Sequence, residues 1–274
     1  MSDIALAQRH YKVQRLKRLI ANKSYRKAEQ RFVIEGVNLL SAAIDAKAGI
    51  ESVFYDPSAR DNSECLSPLL ALEESGIRCY ELKPGVMDKV ADAVTPQPIC
   101  AIVEMKETHI DYLKTFLSPE EASHSVILVA VDIRDPGNLG TLYRIADAAS
   151  VSAVVTTKGC VDPFSPKTIR SSAGSVFNVD LVPEVDIEEL VVFLKKYSFS
   201  MVAADAGDGN DYTKYDYKYP LALFFGNESH GLGETLLESC DASVKILMGG
   251  KAESLNVAMA AAVICFEIKR RQDI

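Results

Sequence analysis

Apolar and polar positions along this chain change their period several times, and each change marks an element. Leu6, His10, Val13, Leu16 and Ile20 recur three or four positions apart, the spacing of one helix face. Arg9, Lys12, Arg15 and Lys17 or Arg18 occupy the opposite face. Over residues 32–105 short apolar runs ("FVIEG", "SVFYD", "RCYEL", "CAIVEM") read as strands. Helical patterns at "VNLLSAAIDAKAG", residues 63–75 and "GVMDKVADAV" separate them. This alternation predicts a small α/β domain with a largely parallel sheet. It shows no catalytic cluster, so it has a binding or a purely structural role. "KETHIDYLKTFLSPEEASH", residues 106–124, breaks the pattern: it is polar, acidic and contains Pro119. It predicts an interdomain linker with one helical turn.

A second α/β unit starts at Ser125. Strands are predicted at "VILVAV", "AVVTT", "VDLV", "SMVAAD", "LALFFG" and "SVKIL", and helices at 139–149, 187–196 and 254–271. The last helix is apolar for most of its length and ends in Lys269, Arg270 and Arg271, cations that suit a helix C-terminus. Its Ala-rich start predicts close packing against a sheet or a second subunit. There is no internal repeat or low-complexity tract.

With 274 residues, the chain has room for one large domain or two ordinary ones, and 48% hydrophobic residues supply a sizeable core. No apolar run approaches the roughly 18 residues of a membrane span, and the N-terminus lacks an apolar signal core. Asp3 argues against a cleaved organelle leader, so the expected location is cytoplasmic. None of the six cysteines lies in a CxxC pair, which predicts reduced core thiols. The four histidines show no metal-ligand spacing, and no metal site is expected. The net charge of −8 argues against nucleic acid, but its distribution does not. Residues 1–31 hold nine Lys and Arg against two Asp and Glu, a surplus of seven, which leaves −15 on the remainder. Such asymmetry suits either a basic arm that contacts polyanions or a solvated helix face.

Three Gly-rich loops follow predicted strands. In "DIRDPGNLGTLYRIADAAS", Pro136 and Gly137 make a tight turn, Asn138 sits on it, and Arg144 lies further along the helix. The dinucleotide fingerprint G-x-G-x-x-G is not met, because only Gly137 and Gly140 are present. In "FFGNESHGLGE", Ser229 stands three positions after Gly226 rather than two, which disfavours a nucleophile elbow and a serine hydrolase. Backbone grip on a cofactor is the better reading. In "ILMGGKAESLNVAMA", Ser254 is placed to cap the last helix and Asn256 to sit in its first turn. Each loop alone is also consistent with a plain strand–helix turn. Polar strand ends of one sheet, however, cluster where α/β folds bind ligands.

"DPGNLGTLYRIADA", "GNESHGLG" and "SLNVAMA" resemble, in order and spacing, the three motifs of the SpoU (TrmH-like) RNA ribose methyltransferases of the SPOUT class. "FVIEGVNLL" and "TPQPICAIVE" resemble landmarks of the L30e-like domain that precedes the catalytic domain in many members. The resemblance implies a basic helical arm over 1–31, an L30e-like RNA substrate-binding α/β domain over 32–105, a linker over 106–124 and a SpoU-type methyltransferase domain over 125–274. It implies a mostly parallel sheet with helices on both faces and a C-terminal trefoil knot that holds S-adenosylmethionine. Gly226, Ile246, Leu255, Asn227, Gly231 and Met248 would contact that cofactor, with Ala203 and Ala204 beside it. Arg144, Asn138, Glu228, Ser254 and Asn256 would form the catalytic set.

The RNA backbone would meet Lys167 and Arg170, within "SPKTIRSSAGSVFNVDLV", and Arg9, Lys12, Arg15 and Arg18; for the first two, solvated helix charge is the alternative. The implied protein is a homodimer with no membrane attachment. It would methylate a ribose 2′-hydroxyl, most naturally of 23S or large-subunit ribosomal RNA. A transfer-RNA enzyme, or an inactive RNA-binding or ribosome-assembly protein on the same fold, are the alternatives.

Overall fold

The computed structural model describes residues 5–273 except 107, 119, 208, 252 and 253. Asp3, Pro119 and the first residues of the basic segment therefore lie outside the described residues. The elements are α1 (Tyr11–Ala21), α2 (Lys23–Glu29), β1 (Arg31–Glu35), α3 (Val37–Asp45), β2 (Ile50–Tyr55), α4 (Ser58–Asp61), α5 (Ser63–Glu74), β3 (Arg78–Glu81), β4 (Ile99–Glu104), β5 (Val126–Ala130) and α6 (Pro136–Ala148). There follow β6 (Ala153–Thr157), α7 (Pro166–Ser172), β7 (Asp180–Val185), α8 (Ile187–Lys196), β8 (Ser200–Ala204), β9 (Asn210–Asp211), β10 (Leu221–Phe225), α9 (Glu234–Ser239), β11 (Ala242–Lys245) and α10 (Val257–Gln272). They form two compact units, one from the described residues of 1–106 and 164–177, the other from those of 107–163 and 178–274.

The first unit holds a four-stranded sheet in the order β1-β4-β2-β3. The expected largely parallel sheet is not found: β4 runs antiparallel to both β1 and β2, and only β2 and β3 pair in parallel. Helical crossovers do give β1, β2 and β3 one direction, as the pattern predicts. The segment before β4, however, is no crossover helix but a single 3-10 turn at Met87–Lys89. Without a crossover, β4 enters between β1 and β2 in the opposite sense.

The basic segment is two helices rather than one. Asn22 leaves helical dihedrals, ends α1, and caps α2 by accepting the Tyr25 N–H at 2.9 Å. Val13, Leu16 and Leu19 are fully buried in one core with Val33, Phe54, Leu82 and Ile102. The segment is thus part of this unit rather than an appended arm. His10 serves as the α1 cap, and Leu6 pairs beside β3 with Leu82. The α7 segment joins the same unit, where Phe164 and Phe177 stack on Phe32.

The second unit is built on a seven-stranded sheet, β7-β6-β5-β10-β8-β11-β9, with every neighbouring pair parallel. Ile127, Val129, Val155, Ala203 and Phe224 form one face of its core with Leu190 and Leu194 of α8 and Leu236 of α9. Leu128, Ala130, Val154, Leu223 and Phe225, of the opposite parity, are equally buried, so the sheet is covered on both faces. The 106–124 stretch contributes more than one helical turn: a 3-10 helix, Ile110–Leu117, buries Ile110 and Leu113 in this core. Asp135 caps α6 by accepting the Asn138 N–H at 2.9 Å, with Pro136 in the first turn. Asn256, not Ser254, caps α10, accepting the N–H groups of Ala258 and Met259. The last helix therefore starts three residues later than its pattern predicts.

Candidate active site

Three chain segments leave the C-terminal ends of β5, β10 and β11, where parallel sheets expose backbone to ligands. After β10 the chain folds into a tight bridge in which Asn227 and Gly231 exchange backbone hydrogen bonds of 3.0 and 2.9 Å. Gly226 sits against it so closely that an added Cβ would lie 2.3 Å from the Gly231 carbonyl carbon, which no side chain tolerates. The Asn227 side chain accepts from the Ser229 N–H at 2.8 Å and donates to the Asp132 carbonyl at 2.8 Å. That pins the loop to the end of β5, where Asp132 itself adopts φ +53°.

A polar chain joins the three segments. Asn256 Nδ2 donates to Asn138 Oδ1 at 2.9 Å, and Asn138 Nδ2 donates to Glu228 Oε1 at 2.8 Å. The partners lie 118 and 90 positions apart in sequence. The backbone N–H groups of Arg134 and Asp135 approach the same carboxylate at 3.4 Å. Partial desolvation pushes the Glu228 pKa up, but the Asn138 hydrogen bond and these backbone donors outweigh it and hold the carboxyl below its ordinary value. Glu228 is therefore an anion at neutral pH, fixed by neutral donors and in no ion pair with a described cation.

The segments enclose a cavity of about 300 Å³. Of the residues expected on a cofactor, Ala204, Gly226, Asn227, Gly231, Ile246, Met248 and Leu255 line it. Ala203 does not: strand alternation turns it into the core beside Phe224. Glu228, Ser254 and Asn256 of the expected catalytic set also line the cavity, and Asn138 joins through its hydrogen bonds. Arg144 stands apart, exposed on α6, in no hydrogen bond or ion pair with any described residue and not on the cavity wall. Asp205 and Lys245 line the cavity and were not anticipated. Each directly follows or ends a strand of this sheet, which is the signal that would have found them.

The expected RNA cations separate into two kinds. Arg170 donates to Asp92 at 2.8 Å and lies 3.8 Å from Glu35. Arg15 pairs with Glu29 at 2.9 Å and also with Glu51, which Arg31 shares. Both guanidiniums are largely neutralised within the chain. Lys12 donates to the Tyr80 hydroxyl, and Arg18 stacks on Tyr25 with 4.1 Å to the ring centre. Arg9 and Lys167 are exposed.

Comparison with known proteins gives a consistent picture. The family description "SpoU rRNA Methylase family" matches residues 125–266, and "MRM3-like substrate binding domain" matches residues 11–101. The chain is 31% identical, over 95% of its own length and 97% of the relative's, to the 23S rRNA (guanosine(2553)-2′-O)-methyltransferase RlmP of Bacillus subtilis. It is 26% identical, over 97% and 92% of the two chains, to a 23S rRNA (uridine(2479)-2′-O)-methyltransferase of Streptomyces viridochromogenes. Among solved structures, the SpoU methyltransferase AviRb from Streptomyces viridochromogenes with the cofactor AdoMet superposes with TM-score 0.82 at 26% identity, covering 97% of this chain and 99% of that one.

Proposed function

This chain belongs to the SpoU rRNA methylase family, and from that premise we propose that it transfers a methyl group from S-adenosylmethionine to a ribose 2′-hydroxyl of large-subunit ribosomal RNA. The observation that carries the reading is the Asn256–Asn138–Glu228 chain at the edge of the cavity. It draws one residue from each of the three motifs into a single hydrogen-bonded unit.

The cavity suits the cofactor. Among the described residues, Ile246, Met248 and Leu255 make no backbone–backbone hydrogen bond, yet all three line it. N–H and C=O groups left open by the fold along a cavity wall are what a purine edge needs. Gly226, Asn227 and Gly231 would shape one wall and Ala204 another. Bound there, S-adenosylmethionine supplies a methyl on a sulfonium, whose departure as a neutral thioether needs no acid.

The chain's own residues then orient the nucleophile and manage its proton. A guanidinium offers five N–H donors and no acceptor, so the role of general base does not suit Arg144. In this reading it grips the target phosphate and hydroxyl and stabilises negative charge that develops on the oxygen, while a phosphate oxygen or water takes the proton. Glu228 fixes the loop after β10 against the turn after β5, and Asn138, Asn256 and Ser254 frame the place of the ribose. Arg144 lies off its own cavity wall, which supports its serving the cavity of a second copy. The exposed Met259 and Phe266 on α10, 61% and 49% accessible, support a homodimer through that helix. The trefoil knot belongs to the same reading: the segment after β11 and the loop after β10 line one cavity, as in a knotted C-terminal region.

The test uses labelled S-adenosylmethionine and ribosomal RNA from cells that lack the protein. Alkali-stable label in large-subunit RNA is expected, because a 2′-O-methyl blocks cleavage of the adjacent linkage. Label confined to transfer RNA would move the substrate and keep the chemistry. Failure to bind the cofactor would overturn the enzymatic reading.

A further inference from the structure

Tyr11 is 71% exposed, although it opens a helix whose other face is fully buried. Of the large hydrophobic side chains that the described residues leave exposed, only Tyr11 and Phe266 are aromatic. Phe266 lies on an apolar helix stripe, and Tyr11 lies among cations. The His10 ring sits 4.7 Å from the Tyr11 ring at an interplanar angle of 31°. Arg18, two turns along the same face of α1, spreads its guanidinium 4.1 Å from the centre of Tyr25. Lys12 lies 6.0 Å from the Tyr11 ring centre on one side and over the Tyr80 ring on the other. Arg9, Lys17 and Arg18 are exposed and in no ion pair with a described carboxylate. Glu29, the single acidic residue among the described residues of α1 and α2, is held by Arg15. Among the described residues, the surface therefore offers flat π faces and net positive charge, with no anion paired to Arg9, Lys17 or Arg18.

We infer that His10 and Tyr11 form a platform for an unpaired RNA base, that the Arg18–Tyr25 stack, about 10 Å further along α1, offers a second, and that Arg9, Lys17 and Arg18 take the neighbouring phosphates. This rests on the RNA reading above and sharpens it: the first unit selects single-stranded or looped RNA over continuous duplex. Aromatic and guanidinium planes stack on bases that are already unstacked, whereas an A-form helix hides its bases and offers only phosphates and 2′-hydroxyls. A stacked base requires no sequence-specific donor, so the platform tolerates any base and contributes affinity and register rather than sequence choice.

The test measures fluorescence anisotropy of the full chain with two labelled RNAs, a hairpin with an unpaired adenine loop and its stem as a blunt duplex. Tyr11→Ala is expected to weaken loop binding about tenfold while duplex affinity and the salt slope stay unchanged. Tyr11→Phe should retain loop binding. Arg18→Gln should lower the salt slope by about one on both RNAs. Unchanged loop affinity in Tyr11→Ala, or equal weakening on both RNAs, would overturn the platform. So would unchanged affinity for naked RNA with weaker binding to ribosomal particles, which would assign the ring to a protein partner. If the unaltered chain bound neither RNA while still binding S-adenosylmethionine, the RNA reading itself would fall, which is a separate result.

Discussion

Glu228 and Glu51 are both carboxylates held below their ordinary pKa, one in each unit, and they are held in opposite ways. Glu51 owes its shift first to hydrogen bonds from Arg15, aided by Arg31, so its charge is cancelled by guanidiniums. Glu228 is held against its partial desolvation by an amide and backbone N–H groups, all neutral. The guanidiniums divide the same way. Arg15 is engaged by two carboxylates, whereas Arg144 has no ionic partner among the described residues. A charge cancelled inside the chain stabilises the fold, and a charge held by neutral groups, or left open, stays available to a ligand. The two kinds of charge should therefore respond differently to removal.

Arg144→Ala should break the contrast most severely. Transfer should fall by about 10² to 10³ or more, the cost of one group aimed at developing charge, with cofactor affinity and melting temperature nearly unchanged. Single-turnover methylation beside cofactor titration checks this; lost cofactor binding would remove Arg144 from the proposed role. Leu16→Ala tests the other unit's interior. Leu16 is fully buried, so its truncation should cost about 2–5 kcal/mol in denaturant unfolding. A cost under about 1 kcal/mol would mean that the N-terminal helix is held far more loosely than its burial implies.

Glu228→Gln comes next. It keeps the shape and removes the charge, so Asn138 loses a charge-assisted bond and the turn after β5 loses its anion. Transfer should drop about 10- to 100-fold, the range for a group that orients others, with little change in stability because the side chain is exposed. Arg15→Ala should do the reverse and by less, leaving transfer unchanged and costing no more than about 1 kcal/mol, since its pairs are partly exposed.

Much of the second unit was legible because parallel strands buried on both faces read as continuous apolar runs, and "VILVAV" and "LALFFG" show it. The three loops are legible because each follows a predicted strand and carries residues that only a special backbone needs, as Gly226 illustrates. The antiparallel entry of β4 was not legible, because the direction in which a strand inserts depends on tertiary pairing rather than on its own pattern. Ala203 and Ala204 could not be told apart before the strand's parity was known. Arg15 and Arg170 read as free cations because Glu51, Glu35 and Asp92 are 36, 135 and 78 positions away from their partners. Sequence shows a charge but not what has already neutralised it.

The smallest expected effect separates the two carboxylates most cleanly. Both have native values below the unfolded ones, so each contributes stability that is present above the ordinary range near 4.5 and is lost as pH falls through the depressed value. Salt should distinguish them. The Arg15–Glu51 attraction acts between charges that are about a third exposed, and raising ionic strength from about 0.05 to 0.5 M screens it. The Glu228 shift comes from hydrogen bonds to neutral donors, the shortest from Asn138 at 2.8 Å, which counterions barely touch. Carboxyl carbon titrations by NMR between about pH 2 and 6 should show Glu51 moving up toward the ordinary value in high salt while Glu228 stays put. Equal movement of the two would mean that the Glu228 anion also depends on long-range charge. In that case the neutral cradle built by Asn138 and the turn after β5 would not account for its ionisation.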